Sequence, residues 1–557
     1  MPPVVSHTRH TQSFSTSNAG LRPWLVLKFG GTSVGKFLNA ITETILPAAL
    51  CTNRIIVVCS ALSSDTKSQG TTARLLRAAE CVLSNQCKDH MRIIDEILHD
   101  HLVMAEQHIQ DPELLSELKT DLTKECRRLK VFLDAAEVID EVSPRSKDII
   151  IGAGEKLACL IVTASLRQRR VNTQCVSLER LVQRAFDTQQ IGQDFYDYLA
   201  HAMAGTVRDC GDQVPVVTGF FGPVPGSILD TVGRGYTDLT AALLAVGVGA
   251  HELQVWKEVD GIFTADPRKV PAARLLKMIT PEEAAELTYY GSEVIHPFTM
   301  EQVIRAHIPI RIKNVQNPEG CGTVIYPDLP GCSSHSTSRT SIASSVSPPA
   351  SALHSPRFLL ENGYRLDLTR RHPTAVTIKD HVVVLNVHSN RKSVSHGFFA
   401  HIFSTLDRYG IVVDLISTSE VHVSMALGAN AAKANLDQAV AELNHLGTVD
   451  IMRDMAILSL VGRQMNNMVG VAGRMFQTLA AAHVNIEMIS QGSSEINISC
   501  VIHNTKAITA LRAIHVSLLA CNRVSLVDDE DDGEGGIFDV TAKVAAVRVE
   551  TPAPLTL

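Results

Sequence analysis

Apolar positions along the chain define its elements before any residue is singled out for chemistry. Trp24-Leu-Val-Leu-Lys-Phe29 is an apolar run broken only by Lys28, and Gly30-Gly31 ends it. Leu38–Leu50 has helical spacing, and Arg54–Ser60 is a second unbroken apolar run. Strands without polar alternation are covered on both faces, so this strand–helix–strand unit predicts a parallel sheet between helical layers. Residues 70–170 read as helices with charged faces. Over 171–330 alternation returns, with strands expected at Val171–Ser177, Val214–Thr218, Glu252–Trp256 and Ile308–Ile312. Helices are expected at Thr237–Ala245 and Pro281–Tyr290. The second begins with a Thr280 cap, Pro281 at the first helical position and Glu283 at the third, and Gly291 stops it.

The pattern then lapses. Ten of the 28 residues over 329–356 are Ser, with Pro348-Pro349 among them. Such a stretch buries too little apolar surface to order itself and reads as a linker, taken as 329–360. It separates a domain over 24–328 from a C-terminal region that repeats itself. Gly397–Leu406 with Val413–Ser417 matches Gly470–Leu479 with Ile486–Ser490 at a constant offset of 73 residues. Gly397/Gly470, Phe403/Phe476, Leu406/Leu479 and Ser417/Ser490 are among the identities. Strands Val382–Val387 and Ile457–Val461 precede the two copies. Strands Ser419–Ser424 and Ser494–Ser499 follow, then helices Ala432–Leu443 and Thr505–His515. Two small split βαβ units, over 376–450 and 455–525, predict a paired ligand-binding module.

Composition narrows the class. The chain has 557 residues, 45% of them apolar, and a net charge of −7. That charge argues against nucleic acid. No apolar run approaches the ~18 residues a membrane helix needs, which argues against a membrane span. The 12 cysteines are scattered without metal spacing, so reduced thiols in a cytoplasmic protein and no protein-held metal are expected. Residues 1–23 are acid-poor but lack an amphipathic Arg-rich helix, and read as a disordered tail. The acidic stretch over 528–557 reads as another.

Candidate chemistry gathers at strand ends. Gly30-Gly-Thr-Ser-Val-Gly-Lys36 joins a strand to a helix and offers backbone N–H groups to an anion. It falls short of a P-loop because Phe37 stands where Ser or Thr would hold Mg²⁺. Lys28 is badly placed for a core and well placed to neutralise a transferring phosphoryl group. Gly233-Arg-Gly-Tyr-Thr-Asp238 opens a helix, with Thr237 or Asp238 as cap and Arg234 as a planar fork for a carboxylate. Glu155, after Gly152-Ala-Gly154, either favours the start of a helix over Lys156–Ser165 or holds a substrate ammonium. Trp256–Arg268 is a charge-dense loop at a strand end, where ligands of α/β proteins collect.

Lys28-Phe-Gly-Gly-Thr-Ser33, Ser60-Ala to Thr66, Gly154-Glu155, Val232–Asp238, Trp256–Arg268 and Gly291–Pro297 occur in the order found in the aspartate kinases of the amino-acid kinase family, which the chain resembles over 24–326. The C-terminal repeat looks like the tandem ACT domains of those enzymes. The resemblance implies an α/β amino-acid kinase fold, mostly parallel sheet between helical layers, followed by two ferredoxin-like ACT domains. It implies ATP-dependent phosphorylation of the L-aspartate β-carboxylate to 4-phospho-L-aspartate, with Mg²⁺. That is the first step of threonine, methionine and isoleucine synthesis and, in some organisms, of lysine synthesis.

By resemblance, Lys28, Lys257 and Asp238 are catalytic. Thr66, Glu155, Arg234, Thr237 and Asp238 hold aspartate. Lys28, Gly30, Gly31, Ser33, Lys257, Asp260, Phe263, Thr264 and Arg268 surround ATP. An effector, threonine or alternatively lysine, is expected near Asp414, Ser419 and Asn497, and a homo-oligomer is expected through the ACT domains. Tyr236-Thr237 in place of Gly-Ser, and Glu293 in place of a lysine, resemble the fungal monofunctional branch. A kinase for another carboxylate such as glutamate, a catalytically dead amino-acid sensor and a P-loop ATPase are the competing readings.

Overall fold

The computed structural model describes residues 16–326 and 373–520. Outside the description lie 64–68, 84–88, 184–185, 187–191, 223, 225–226, 229–231, 291–294, 390–396, 420–421, 429–432, 464, 466–467 and 493–495. The described chain falls into two compact units. The first comprises Met1–Ile262, Lys277–Pro281 and Ile295–Asn362, the second Phe263–Leu276, Glu282–Val294 and Gly363–Leu557.

The first unit is built on an eight-stranded sheet. In chain order it contains β1 (Trp24–Phe29), α1 (Gly31–Asn39), α2 (Leu46–Thr52), β2 (Arg54–Cys59), α3 (Thr71–Val82), α4 (His90–His108), α5 (Pro112–Ile139) and α6 (Pro144–Gln168). Then come β3 (Thr173–Val176), α7 (Gln193–Arg208), β4 (Val214–Thr218), α8 (Tyr236–Val248), β5 (Glu252–Lys257) and β6 (Met278–Ile279). The unit closes with α10 (Pro297–Arg305), β7 (Ile310–Asn314) and β8 (Thr323–Ile325), while α9 (Pro281–Tyr289), which comes before them in the chain, belongs to the second unit from Glu282 onward. Strand order is β3-β4-β2-β1-β5-β7-β8-β6, parallel except that β8 runs against β7. The continuous apolar runs become the buried central strands, as the pattern requires.

Register aligns the strand ends. Phe29 lies opposite both Cys59 and Trp256, and Cys59 opposite Thr218. The loops leaving β1, β2, β4 and β5 therefore open at one edge of the sheet, where α/β folds bind ligands.

Helix α6 departs from the sequence reading. Ser143 caps it by accepting the Ser146 N–H at 3.1 Å, and the helix runs 25 residues straight through Gly152 and Gly154. Glu155 is thus a mid-helix residue and not an N-terminal one. The glycines permit close packing: a Cβ at Gly152 would stand 2.3 Å from the Phe220 ring, and one at Gly154 2.9 Å from Thr71. By length and composition α6 could cross a membrane, further than the sequence reading allowed. Yet 83% of its most apolar stretch is buried within the fold, as in the core helix of a globular domain. The thiols also depart from expectation at one point: Cys81 is disulfide-bonded, while eight other described cysteines are free.

The second unit carries one antiparallel six-stranded sheet. Its elements are β9 (Ala375–Ser389), α11 (Phe398–Arg408), β10 (Val413–Thr418), β11 (His422–Leu427), α12 (Lys433–Leu443) and β12 (Gly447–Val461). They continue as α13 (Val471–Ala481), β13 (Met488–Ser490), β14 (Asn497–His503) and α14 (Ala507–Ile514). The order is β10-β11-β9-β12-β14-β13. Strands β9 and β12 have 15 residues each and pair along most of their length, so half of each serves each repeat. The repeat is conformational too: Gly397 and Gly470 precede their helices at φ 89° and 82°, where a side chain would be strained. The described part of β11 begins at His422, and the Ser419 N–H bonds the His422 carbonyl; residues 420–421 of the expected strand lie outside the described residues.

Candidate active site

Strand β1 carries Lys28 to the ligand edge of the sheet. Its Nζ lies 2.6 Å from Asp238 Oδ1, with both side chains largely buried. Asp238 is in the first turn of α8, which the short turn Gly233–Gly235 leads into. The preceding residue, Thr237, donates its hydroxyl to Glu155 Oε1 at 2.7 Å. The Phe220 N–H and the Tyr236 hydroxyl also donate to Glu155. A helix start, a mid-helix carboxylate and a strand-end loop therefore converge on one buried acid.

Burial raises the Glu155 pKa to about 7, and the three donors together with Lys28 only partly offset it. The Tyr236 hydroxyl is pushed well above its ordinary value by burial and by Glu155.

On the other side of Lys28 the first turn of α1 is free of any side-chain cap. Gly30 occupies the N-cap position and makes no side-chain hydrogen bond. A Cβ on Gly31 would stand 1.9 Å from the Ala61 carbonyl oxygen, so only glycine lets the loop after β2 lie this close. Ser33 is buried and donates its hydroxyl to Glu258 Oε1 at 2.6 Å. Asp260 accepts from Asn314 and Asn317 at 3.1 and 3.2 Å, and Lys257 ends β5 beside it. Open amides and an ammonium form a donor set that fits phosphate oxygens.

Lys28, Gly30, Gly31, Ser33, Glu155, Thr237, Asp238, Lys257 and Asp260 all belong to the first unit. Thr66 and the Arg234 side chain lie outside the described residues. Phe263, Thr264 and Arg268 belong to the second unit. There Thr264 is buried, its hydroxyl bonded to His515 Nε2 and the Arg274 N–H, both at 2.9 Å. Arg268 is 88% exposed and forked onto its neighbour Asp266.

Sequence reasoning missed Glu258 and the Tyr236 hydroxyl. Glu258 could have been suspected, since it follows Lys257 in the same charged loop. Tyr236 gave no signal beyond opening a helix.

In the second unit, Asp414 accepts from Lys379 Nζ at 2.7 Å and is bonded to the Tyr289 hydroxyl. Its Oδ2 is buried without a hydrogen-bond partner. Burial and Asp414 push the Tyr289 pKa up to about 12. Asn497 donates to Glu286 at 2.5 Å and bonds the neighbouring Tyr290. Asp414 and Asn497 thus meet adjacent tyrosines, one from each repeat, whereas Ser419 sits exposed at the far end of β10.

Comparison with known proteins agrees with this geometry. Residues 23–314 match the amino acid kinase family and residues 458–518 an ACT domain. The aspartokinase of Schizosaccharomyces pombe is 52% identical over 499 residues, covering 89% of this chain and 93% of that protein. That of Saccharomyces cerevisiae is 51% identical over 507 residues, with the same shares covered. Crystal structures of Escherichia coli aspartokinase III with aspartate and ADP, and with lysine and aspartate, match at TM-scores of 0.65 and 0.66. Both are 25% identical and each match covers 89% of this chain and 99% of that one.

The chain belongs to the amino acid kinase family. Within that family it is an enzyme of the aspartate kinase type, with an ACT regulatory domain following the kinase fold.

Proposed function

We propose that the enzyme transfers the γ-phosphoryl group of ATP to the β-carboxylate of L-aspartate, giving 4-phospho-L-aspartate and ADP. The carrying observation is Lys28 set between the uncapped start of α1 and the Glu155–Thr237–Asp238 cluster. One carboxylate oxygen attacks phosphorus and the bond to the bridging oxygen of ADP breaks. The acceptor is ionised at pH 7, since its reference pKa is ~3.9, so no general base is needed. Catalysis is then positioning plus charge neutralisation. Lys28 spans donor and acceptor, the amides after Gly30 hold phosphates, the Ser33 hydroxyl turns from Glu258 to join them when the nucleotide binds, and Lys257 and Asp260 flank the nucleotide. Glu155 and Thr237 hold the amino acid, with Arg234 on its carboxylate.

Among the described residues, no cluster of three His, Cys, Asp or Glu ligands gathers at this edge. Mg²⁺ would therefore enter on the nucleotide's phosphates, with Asp238 and Glu258 as nearby oxygen donors, and would neutralise the charge on the transferring group. The Escherichia coli enzyme's complex with aspartate and ADP supports this assignment of substrates.

An end-product amino acid inhibits through the ACT pair. The buried, unpartnered Asp414 Oδ2 suits a ligand ammonium. Threonine is the proposed effector, by resemblance to the fungal enzymes. Lysine is the alternative, and the bacterial complex with lysine supports an amino acid of this class. A coupled assay of ADP release, with aspartate or glutamate as acceptor, tests the substrate. Equal rates with glutamate would overturn it.

A further inference from the structure

Apart from the kinase edge, three side chains meet where the start of α4 passes the end of α5. His90 is the first residue of α4, and its side chain is only 5% exposed. Neither ring nitrogen has a hydrogen-bond partner. Its Nε2 points at two carboxylates without bonding either, lying 3.9 Å from Asp134 Oδ1 and 3.8 Å from Glu137 Oε2. The three atoms lie within 4.8 Å of one another. A buried imidazole aimed between two acids at non-bonding distance is an arrangement that an ion would complete.

Asp134 and Glu137 are three apart on α5, so they share a face. They stand near that helix's C-terminal end, where the backbone dipole favours a cation. Neighbouring cations are already engaged. Arg92 pairs with Asp89 at 3.1 Å and with Glu96 at 3.7 Å, and Lys130 pairs with Asp95 at 2.6 Å. A tetrahedral ion with ligands at about 2.1 Å holds its donor atoms about 3.4 Å apart. To reach that spacing each carboxylate would move about half an ångström toward His90, and the two exposed carboxylates, now within 4.8 Å, would close on each other.

We propose that His90, Asp134 and Glu137 bind a divalent transition ion of the zinc class, with water in the remaining position. Imidazole with two carboxylates suits zinc, whereas Mg²⁺ prefers six oxygens in octahedral array and keeps its waters. The nucleotide's Mg²⁺ therefore does not compete for the site. The bound ion ties the start of α4 to the end of α5.

The test is a titration of chelator-treated, nucleotide-free full-length enzyme with Co²⁺, followed by visible absorption and then displacement by Zn²⁺. The wild type should take up one Co²⁺ per chain with a d–d band and no thiolate charge-transfer band. In D134N/E137Q, which alters two exposed side chains, the affinity should fall by about tenfold or more. Zn²⁺ should raise the unfolding midpoint of the wild type and not that of the variant, while kinase activity stays equal in both. Equal Co²⁺ binding by the two proteins, or thiolate bands in the wild type, would overturn the proposal. So would an absence of binding at millimolar metal.

Discussion

Lys28 and Asp238 are joined at 2.6 Å across the ligand edge of the sheet, from the middle strand and the first turn of α8. Neither charge is well solvated, so removing one strands the other. In Lys28→Ala, turnover should fall by about 10²–10³ or more through loss of charge stabilisation. The same change should cost about 3 kcal/mol of stability because Asp238 is left unpaired. K28A/D238N removes both charges and should regain stability without regaining turnover. Denaturant midpoints beside kcat distinguish the two effects, and a K28A enzyme with retained kcat would remove Lys28 from the chemistry.

Glu155 makes the enzyme pH-dependent. Its folded pKa of about 7 exceeds the ordinary 4.5, so between these values the folded state keeps a proton that the unfolded chain has released. Stability from this group is greatest below about pH 4.5 and declines as pH rises to about 7, by about 3 kcal/mol in all. Substrate ammonium needs the ionised acid, so KM for aspartate should fall as pH rises through 7. Glu155→Gln should raise that KM by about tenfold or more and flatten its pH profile. A KM profile identical to wild type would exclude Glu155 from binding.

Two glycines should respond oppositely to alanine. At Gly31 the new Cβ would strike the Ala61 carbonyl oxygen at 1.9 Å, and the start of α1 must shift. Gly31→Ala should raise KM for ATP and destabilise the protein. Gly473 lies inside α13 with nothing within 4 Å of an added Cβ. Gly473→Ala should be neutral or stabilising by about 0.5–1 kcal/mol. Thermal unfolding of the pair checks both.

Asp414 governs inhibition in this account. In Asp414→Asn, the ratio of inhibited to uninhibited rate at saturating effector should approach one. Unchanged inhibition curves would move the effector site elsewhere.

Much of this was legible beforehand for a physical reason. Unbroken apolar runs at Trp24–Phe29 and Arg54–Cys59 mark buried parallel strands, and the glycines after Phe29 mark the edge where ligands sit. The 73-residue offset returned as two copies of one conformation, down to the positive φ of Gly397 and Gly470. What local pattern cannot carry is the choice of distant partners. Gly152-Ala-Gly154 reads as a break, yet the helix runs on through it, and the glycines leave room for Phe220 and Thr71. Thr264 sits in a kinase motif, but its hydroxyl bonds His515, 251 residues on. Tyr289 and Tyr290 look like the end of an ordinary helix until Asp414 and Asn497 are seen beside them.

The central claim is that phosphoryl transfer to aspartate is held under amino-acid control. An ATP- and Mg²⁺-dependent hydroxamate assay with L-aspartate, repeated with threonine and with lysine, tests it most directly. The account predicts hydroxamate that requires all three components and is suppressed by threonine. No hydroxamate from aspartate, in a preparation that still binds an amino acid, would contradict it and leave the chain a sensor.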